Sequence, residues 1–268
     1  MSKLILLFVG FCIVPLTTSA QKILIPMDLE QQDHLKAYGI AFQALEQGYT
    51  VEWLLNYRGG SFIMDPTTDR ARSCYLRGVS FKILSGAELT QIYDLIEDNN
   101  MDRVILEKVP KIAVYTRPDK RPWDDAVTMA LKYAEVPYQT IFDKEVLGGK
   151  LNQFDWLHLH HEDFTGQYSK FYSYHRMPWY QQQQLTDETL ARDQGYPTVA
   201  EFKKAVARSI QKYVGNGGFL FAMCAATETI EIALASHHTD IVAPEYDHTP
   251  VDPDAQSKLE FDQTFAFK

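Results

Sequence analysis

Cysteine is scarce in this chain, with three residues in 268. Cys12 lies in an apolar N-terminal stretch, so only Cys74 and Cys224 remain for the rest of the chain. Two cysteines can form one disulfide at most, which excludes a small disulfide-stapled scaffold and leaves the core to apolar burial. Whether Cys74 and Cys224 pair stays open, and a bond between them would remove the thiol of Cys224 from any chemistry.

Runs of positive charge are also missing. Lysine and arginine number 26 against 35 aspartates and glutamates, which gives a formal net charge of -9. Because nucleic acids and anionic membrane surfaces bind basic patches, neither is an expected partner. No stretch after residue 20 approaches the roughly 20 apolar residues of a membrane-spanning helix. We therefore expect no membrane span once the N-terminal segment is removed.

Residues 1–20 have the three parts of a secretory signal peptide. Lys3 supplies a positive charge, residues 4–14 form an apolar core, and residues 18–20 are small, as at a cleavage site. The sequence therefore predicts an exported protein, periplasmic or extracellular, whose mature chain begins at Gln21.

Apolar runs and amphipathic segments alternate through the mature chain. The runs predicted as strands are 22–26, 51–55, 79–84, 111–115, 138–142, 155–161 and 219–224. Strands separated by helices indicate a wound, mostly parallel α/β sheet. We predict an N-terminal α/β lobe at 21–109 and a similar second lobe at 110–268, which we expect to be truncated at its C-terminus.

The stretch that ends at Cys224 has the order glycine turn, apolar strand and helix. A cysteine between a strand and a helix lies near the free N–H groups of the first helical turn, which favour a thiolate. The small side chain of Ala225 would let a substrate carbonyl approach a backbone N–H that stabilises an oxyanion. Cys224 is therefore the candidate nucleophile. The alternative is a small buried hydrophobic residue at the end of a core strand.

The densest polar cluster follows another predicted strand and consists of His158, His160, His161, Glu162 and Asp163. Side chains alternate along a strand, so His158 and His160 share one face and His161 lies on the other. Glu162 and Asp163 then fall at the C-terminal mouth of the strand, where wound sheets bind ligands.

Three interpretations of this cluster stay open. In the first, His160 or His161 is the general base for the thiol, and Glu162 or Asp163 orients it. In the second, His158 and His160 hold a zinc ion together with an acid. In the third, the histidines are structural and hydrogen-bonded at a sheet edge. The other members of known two-histidine hydrolase motifs are missing, so we predict neither a metal nor another cofactor.

Residues 168–180 are rich in aromatic side chains and begin with Tyr168. Exposed, they would form a stacking surface for a sugar ring or a peptide, and buried, they would cap the second lobe. If the segment is exposed, Tyr168 is a candidate substrate-binding residue.

Arg58, Gly59 and Gly60 follow a predicted strand. Backbone N–H groups at such a turn, together with the guanidinium, could hold an anionic group. A plain glycine turn is the alternative that the sequence favours, because the lysine of a Walker loop is missing.

Two of these segments together resemble a known fold. Residues 154–161 and 217–224 resemble the class I glutamine amidotransferase-like fold, in which one strand ends in an oxyanion loop and a later one in a cysteine elbow. More closely, residues 54–62, 122–126 and 156–168 look like exported bacterial proteins that carry the label asparagine synthetase B. The closer resemblance covers nearly the whole mature chain and implies a protein that continues past residue 268.

The resemblance implies an amidotransferase-like fold and not the synthesis of asparagine. Asparagine synthetase B enzymes use an N-terminal cysteine and a Ser-Gly-Gly-x-Asp-Ser loop for ATP, whereas this mature chain would begin with Gln21 and lacks that loop. Ala222 and Ala226 replace the two glycines of a Gly-x-Cys-x-Gly elbow, and no His-x-Glu pair follows Cys224.

The leading hypothesis is an exported amidotransferase-like protein that hydrolyses an amide by thiol attack. Its predicted catalytic residues are Cys224, His160, His161 and Glu162, and its predicted substrate-binding residues are Arg58, Gly59, Gly60, Asp163, Tyr168 and Ala225. The alternative is a catalytically inactive module that binds a carbohydrate or a cell-envelope protein. A metal-dependent hydrolase centred on His158 and His160 is the third hypothesis.

Overall fold

The computed structural model describes residues 21–118 and 126–267. They divide into two units, the first ending at Lys108 and the second beginning at Val109. The predicted signal peptide lies outside the described residues, as does the quoted segment 122–126 except for Ala126. No helix within the described ranges combines the length and the apolar character that crossing a membrane requires.

The first unit contains a five-stranded sheet. Its strands are β1 (Lys22–Ile25), β2 (Val51–Leu55), β3 (Ser61–Met64), β4 (Lys82–Leu84) and β5 (Asp102–Leu106). The strand order is β4-β1-β3-β2-β5, and every pair of neighbours is antiparallel. The prediction of a parallel sheet in this lobe, and of two similar lobes, is therefore wrong.

The physical reason is the tight connection between β2 and β3. Residues 56–60 join the two strands, whereas parallel neighbours need a crossover of a dozen residues or more. Asn56, Arg58, Gly59 and Gly60 all have positive φ, which turns the chain back on itself. Gly59 is required here because a Cβ would collide with the backbone carbonyl of Met27.

Three helices flank this sheet: α1 (His34–Glu46), α2 (Thr68–Leu76) and α3 (Gly86–Asp98). Each begins at a polar N-cap, as in α3, where Ser85 and Glu88 form a reciprocal capping box. Cys74 on α2 is fully buried in the apolar core of this unit, and it forms no disulfide with Cys224, the other cysteine of the described residues.

The second unit contains the parallel sheet that the sequence predicts. Its strands are β6 (Ile112–Tyr115), β7 (Gln139–Ile141), β8 (Trp156–Leu159) and β9 (Phe219–Ala222), in the order β7-β6-β8-β9. The helices are α4 (Ala126–Ala134), α5 (Asp143–Leu147), α6 (Pro178–Asp193), α7 (Val199–Gly215), α8 (Ala225–Ala235) and α9 (Pro244–Asp247). All three strand pairs are parallel, so their carboxyl ends share one edge.

A buried ion pair lies within the core of the second unit. Lys203 on α7 donates from Nζ to both carboxylate oxygens of Asp143, at 2.9 and 2.8 Å, and lies 3.1 Å from Tyr115 Oη. The Tyr115 hydroxyl donates to Asp143 as well. Lys203 is 6% exposed and Asp143 is 1% exposed, so each charge is shielded from water and is stabilised by the other.

We expect Lys203→Ala to lower the free energy of unfolding of this unit by about 3–5 kcal/mol, because it leaves the Asp143 carboxylate buried without a counter-charge. Urea unfolding followed by circular dichroism measures the change. Lys212→Ala, on an exposed position of the same helix, is the control and should cost less than about 0.5 kcal/mol. Equal losses for the two variants would show that the ion pair is not a structural requirement.

Candidate functional site

Cys224 occupies a strained turn between β9 and α8. Its φ of 56° and ψ of −141° lie in a region that L-residues rarely adopt, and the thiol is exposed. Thr227 secures the turn, because its N–H and its hydroxyl both donate to the Cys224 carbonyl, at 3.3 and 2.7 Å. The predicted order of strand, turn and helix is confirmed, whereas the alternative of a buried cysteine is wrong.

The loop after β8 is hydrogen-bonded to this turn. Parallel pairing places Leu159 opposite Ala222, so both strands end at the same level. The Ala226 N–H donates to the His160 carbonyl at 3.3 Å, and the Thr229 hydroxyl donates to the Glu162 carbonyl at 2.8 Å. The structure therefore brings the backbone of residues 160–162 to the first turn of α8.

Within this loop, two carboxylates order the backbone. Glu162 Oε2 accepts the His160 N–H at 3.0 Å, and Asp163 Oδ1 accepts the N–H and the hydroxyl of Thr165 at 2.7 and 2.6 Å. The His160 and His161 rings are in edge contact, with centroids 4.7 Å apart. Both histidines thus stand at the C-terminal end of β8, beside the cysteine turn.

His158 has a different environment. Its ring stacks on Phe221 of the neighbouring strand, at 5.4 Å between centroids, and is 4% exposed. In the ranges that the structure describes, His158 and His160 belong to no group of three ligand atoms close enough for a metal. The stacking supports the structural interpretation of His158 over the zinc interpretation.

A pocket of about 80 Å³ opens beside the loop and α8. That volume holds a few water molecules or a small polar group. Five predicted site residues line it: His161, Glu162, Asp163, Tyr168 and Ala225. The Cys224 side chain is not part of the lining, and the turn contributes to the pocket through Ala225.

Charged side chains that the sequence analysis missed line the pocket as well. Arg117 donates to Asp187 at 2.7 Å, and both are largely buried. Burial raises the pKa of Asp187, although Arg117 and Lys203 oppose the shift. Lys203 and Arg117 also lie over the Phe142 ring, at 4.5 and 5.5 Å from its centroid. The pocket therefore combines two cations with a carboxylate whose burial favours its protonated form.

Two polar atoms at the pocket have no hydrogen-bond partner among the described residues. They are the hydroxyl of Tyr168, a residue that is 8% exposed, and Oδ2 of Asp163. Burial raises the pKa of Tyr168, so its hydroxyl stays protonated and can donate. Because unpaired buried polar atoms are costly, both are candidates for contacts with a polar ligand.

The aromatic segment 168–180 divides between the two predicted roles. Tyr168 and Tyr180 are buried and in ring contact, at 5.4 Å. Tyr174 and Trp179 are about half exposed, at 51% and 46%. The segment therefore caps the second unit and also presents aromatic surface.

Arg58, Gly59 and Gly60 belong to the first unit, whereas the other predicted site residues belong to the second. Arg58 donates to Asp28 at 2.7 and 3.2 Å and to Glu30 at 2.5 Å. The hydrogen bond from Arg58 lowers the pKa of Asp28, so the pair is held in its charged form. The guanidinium is thus engaged by two carboxylates, and the glycines form the turn that the sequence favours.

One signal could have found two of the missed residues. Arg117 comes two residues after β6, and Asp143 comes two residues after β7. Both therefore lie at carboxyl ends of parallel strands, the rule that singled out residues 160–163. Lys203 and Asp187 lie on helices in charged or polar sequence, and no local pattern distinguishes them from solvated residues.

The buried carboxyl group predicts a pH effect on stability. A raised pKa means that the folded state holds the Asp187 proton more tightly than the unfolded state, so stability from this group falls as pH rises above the ordinary value of 3.8. As the pH rises from 4 to 7, wild type should lose this contribution to its free energy of unfolding, whereas Asp187→Asn, which stays neutral, should not. Urea unfolding at each pH measures the difference between the two proteins. Asp193→Asn, an exposed position on the same helix, is the control. A difference that is constant with pH would contradict the assignment.

Comparisons of the chain with protein-family models, with curated proteins and with solved structures found no match. The likeness to amidotransferases therefore stays an expectation from the sequence. The site is defined by its own geometry: a strained, exposed cysteine, a histidine and acid loop hydrogen-bonded to it, and a charged pocket beside both.

Proposed function

We propose that this protein is an exported thiol-dependent hydrolase that acts on an amide or a related carboxylic acid derivative. The observation that carries the proposal is the backbone of Cys224, a non-glycine residue held at φ 56° between a parallel strand and a helix. Nucleophiles of α/β hydrolases occupy such sharp turns because the turn exposes the side chain at the helix N-terminus. A merely structural cysteine gains nothing from that strain.

The reaction would use groups that lie at this edge. An imidazole of His160 or His161 accepts the thiol proton, and the sulfur attacks the substrate carbonyl to form a C–S bond. The carbonyl oxygen takes the displaced electron pair near the Ala225 N–H, at the first position of α8, where helical N–H groups lack intrahelical partners. The intermediate then expels the amine with the proton from the imidazolium, and water hydrolyses the thioester.

The pocket supports a small polar substrate. Arg117 and Lys203 supply positive charge, although each is paired with a carboxylate, and Tyr168 and Asp163 offer unused hydrogen-bonding atoms. A class I glutamine amidotransferase-like fold is the finer proposal. The parallel sheet and the strand, elbow and helix order support it, whereas the sequence motifs do not support the asparagine synthetase B label.

If the histidines activate the thiol, iodoacetamide should alkylate Cys224 at pH 7 at least about tenfold faster than it alkylates a cysteine in a short unstructured peptide. His160→Ala or His161→Ala should remove most of that advantage. Intact-mass and peptide mapping on the reduced mature protein measure both rates.

Two controls make the result specific. Cys74 should stay unmodified until the protein is unfolded, because burial raises its pKa to about 11 and it is fully enclosed. His175→Ala, an exposed histidine of the same unit, should leave the Cys224 rate unchanged. A Cys224 rate equal to that of the peptide, insensitive to both site histidines, would contradict the thiol mechanism.

A second candidate is a binding module without catalysis. The observation that favours it is a pair of atoms at the pocket, Tyr168 Oη and Asp163 Oδ2, that have no hydrogen-bond partner in the described part of the chain. Partly exposed aromatic rings belong to the same segment as Tyr168. Such a module would hold a carbohydrate or a polar part of a cell-envelope protein.

The two candidates respond differently to substitution. For any sugar that raises the thermal midpoint of the protein, Tyr168→Phe should weaken binding by about 1 kcal/mol, since it removes one hydrogen bond. Cys224→Ala should leave that affinity unchanged, and Tyr174→Phe is the matched control on the exposed part of the segment. Loss of sugar binding in Cys224→Ala would contradict the binding module and support a role of the pocket in the thiol reaction.

A further inference from the structure

A second group of ligand-type side chains lies at the opposite end of α8 from Cys224. The helix ends at Ala235, and His237 and His238 follow its C-cap residue Ser236. Glu260 joins them from a distant part of the sequence, because its N–H donates to the Ala235 carbonyl at 2.9 Å. One ligand atom from each of the two histidines and the glutamate lies within 4.8 Å of the other two.

The contacts of His237 favour the tautomer whose lone pair lies on the ring nitrogen nearer Glu260. His237 Nδ1 lies 3.0 Å from the Leu234 carbonyl, and a neutral ring that donates from Nδ1 carries its lone pair on Nε2. Nε2 is 4.0 Å from Glu260 Oε2. A tetrahedral ion bound at about 2.0–2.2 Å from each atom would hold the two atoms about 3.3–3.6 Å apart, so a closer approach of about half an ångström would complete the pair.

The surroundings favour positive charge. The last carbonyls of α8 make this end of the helix the negative pole of its dipole. A hydrogen bond from Nδ1 to the carbonyl also orients the His237 ring, as the same bond does for histidines that ligate metals. The rings of His237 and His238 are 3.7 Å apart between centroids, so the second imidazole is already beside the first.

We propose that His237, His238 and Glu260 form a binding site for a divalent transition metal of the zinc class. Two imidazoles and a carboxylate are ligands that Zn²⁺ accepts, and three protein ligands leave a fourth position for water. The site is independent of the thiol reaction and lies outside the residues proposed for it. A bound metal would link the end of α8 to the chain around residue 260.

The test is a titration of the full mature chain with Zn²⁺ alone, in competition with a chromophoric chelator. It uses Cys224→Ser protein, so that the exposed thiol contributes no binding. We expect one equivalent of Zn²⁺. His237→Ala, His238→Ala and Glu260→Gln should each weaken it at least about tenfold, as loss of a ligand requires.

The matched control is His175→Ala. His175 is exposed, and its Nδ1 also lies 3.0 Å from the carbonyl three residues earlier, that of Tyr172. This variant should bind Zn²⁺ as its parent does. Zn²⁺ should also raise the thermal midpoint of the parent by several degrees, and of His238→Ala, an exposed position, much less.

Two results would overturn the proposal. One is no stoichiometric binding at about 100 µM Zn²⁺ by protein whose circular dichroism is that of a folded chain. The other is binding that neither His237→Ala nor His238→Ala weakens, which would place the metal elsewhere. Neither result bears on the alkylation rate of Cys224, so this site and the thiol mechanism fail separately.

Discussion

The parallel pairing of β8 with β9 is the constraint on which the candidate site depends. Because Leu159 lies opposite Ala222, the chain leaves both strands at the same edge, and the loop at 160–163 meets the turn at Cys224. Hydrogen bonds from α8 to the loop carbonyls then hold the loop against the first turn of the helix. An antiparallel pair would place the two strand ends at opposite edges, and no such site would form.

The pocket beside this edge is lined by charged side chains that an apolar core would not contain. Lys203 is buried with Asp143, and Arg117 with Asp187, and buried ion pairs commonly stabilise a fold no more than apolar side chains of the same volume would. Two polar atoms beside these pairs have no partner among the described residues, and unpaired buried polar atoms are costly. We infer that the polarity serves a ligand, and that the apolar packing of α7 and α8 against the sheet sustains it.

The sequence predicts much of the second unit and less of the first. Period and turn signals identify β8, β9 and the elbow at Cys224, because those signals are local. They do not reveal that β2 and β3 form a hairpin, since the glycines at 59–60 indicate a turn and not the strand that follows it. The burial of Lys203 could not be predicted for a related reason. Its partner Asp143 is 60 residues away in the sequence, and no local pattern around Lys203 indicates that contact.

The most direct test of the account asks whether the cysteine and the histidine loop are neighbours. The ring resonances of the histidines would be recorded by NMR on labelled protein before and after carbamidomethylation of Cys224, and assigned with alanine variants. We predict that the His160 or His161 resonances shift, whereas those of His175, an exposed residue of the same unit, do not. Unchanged resonances for both His160 and His161 would contradict it.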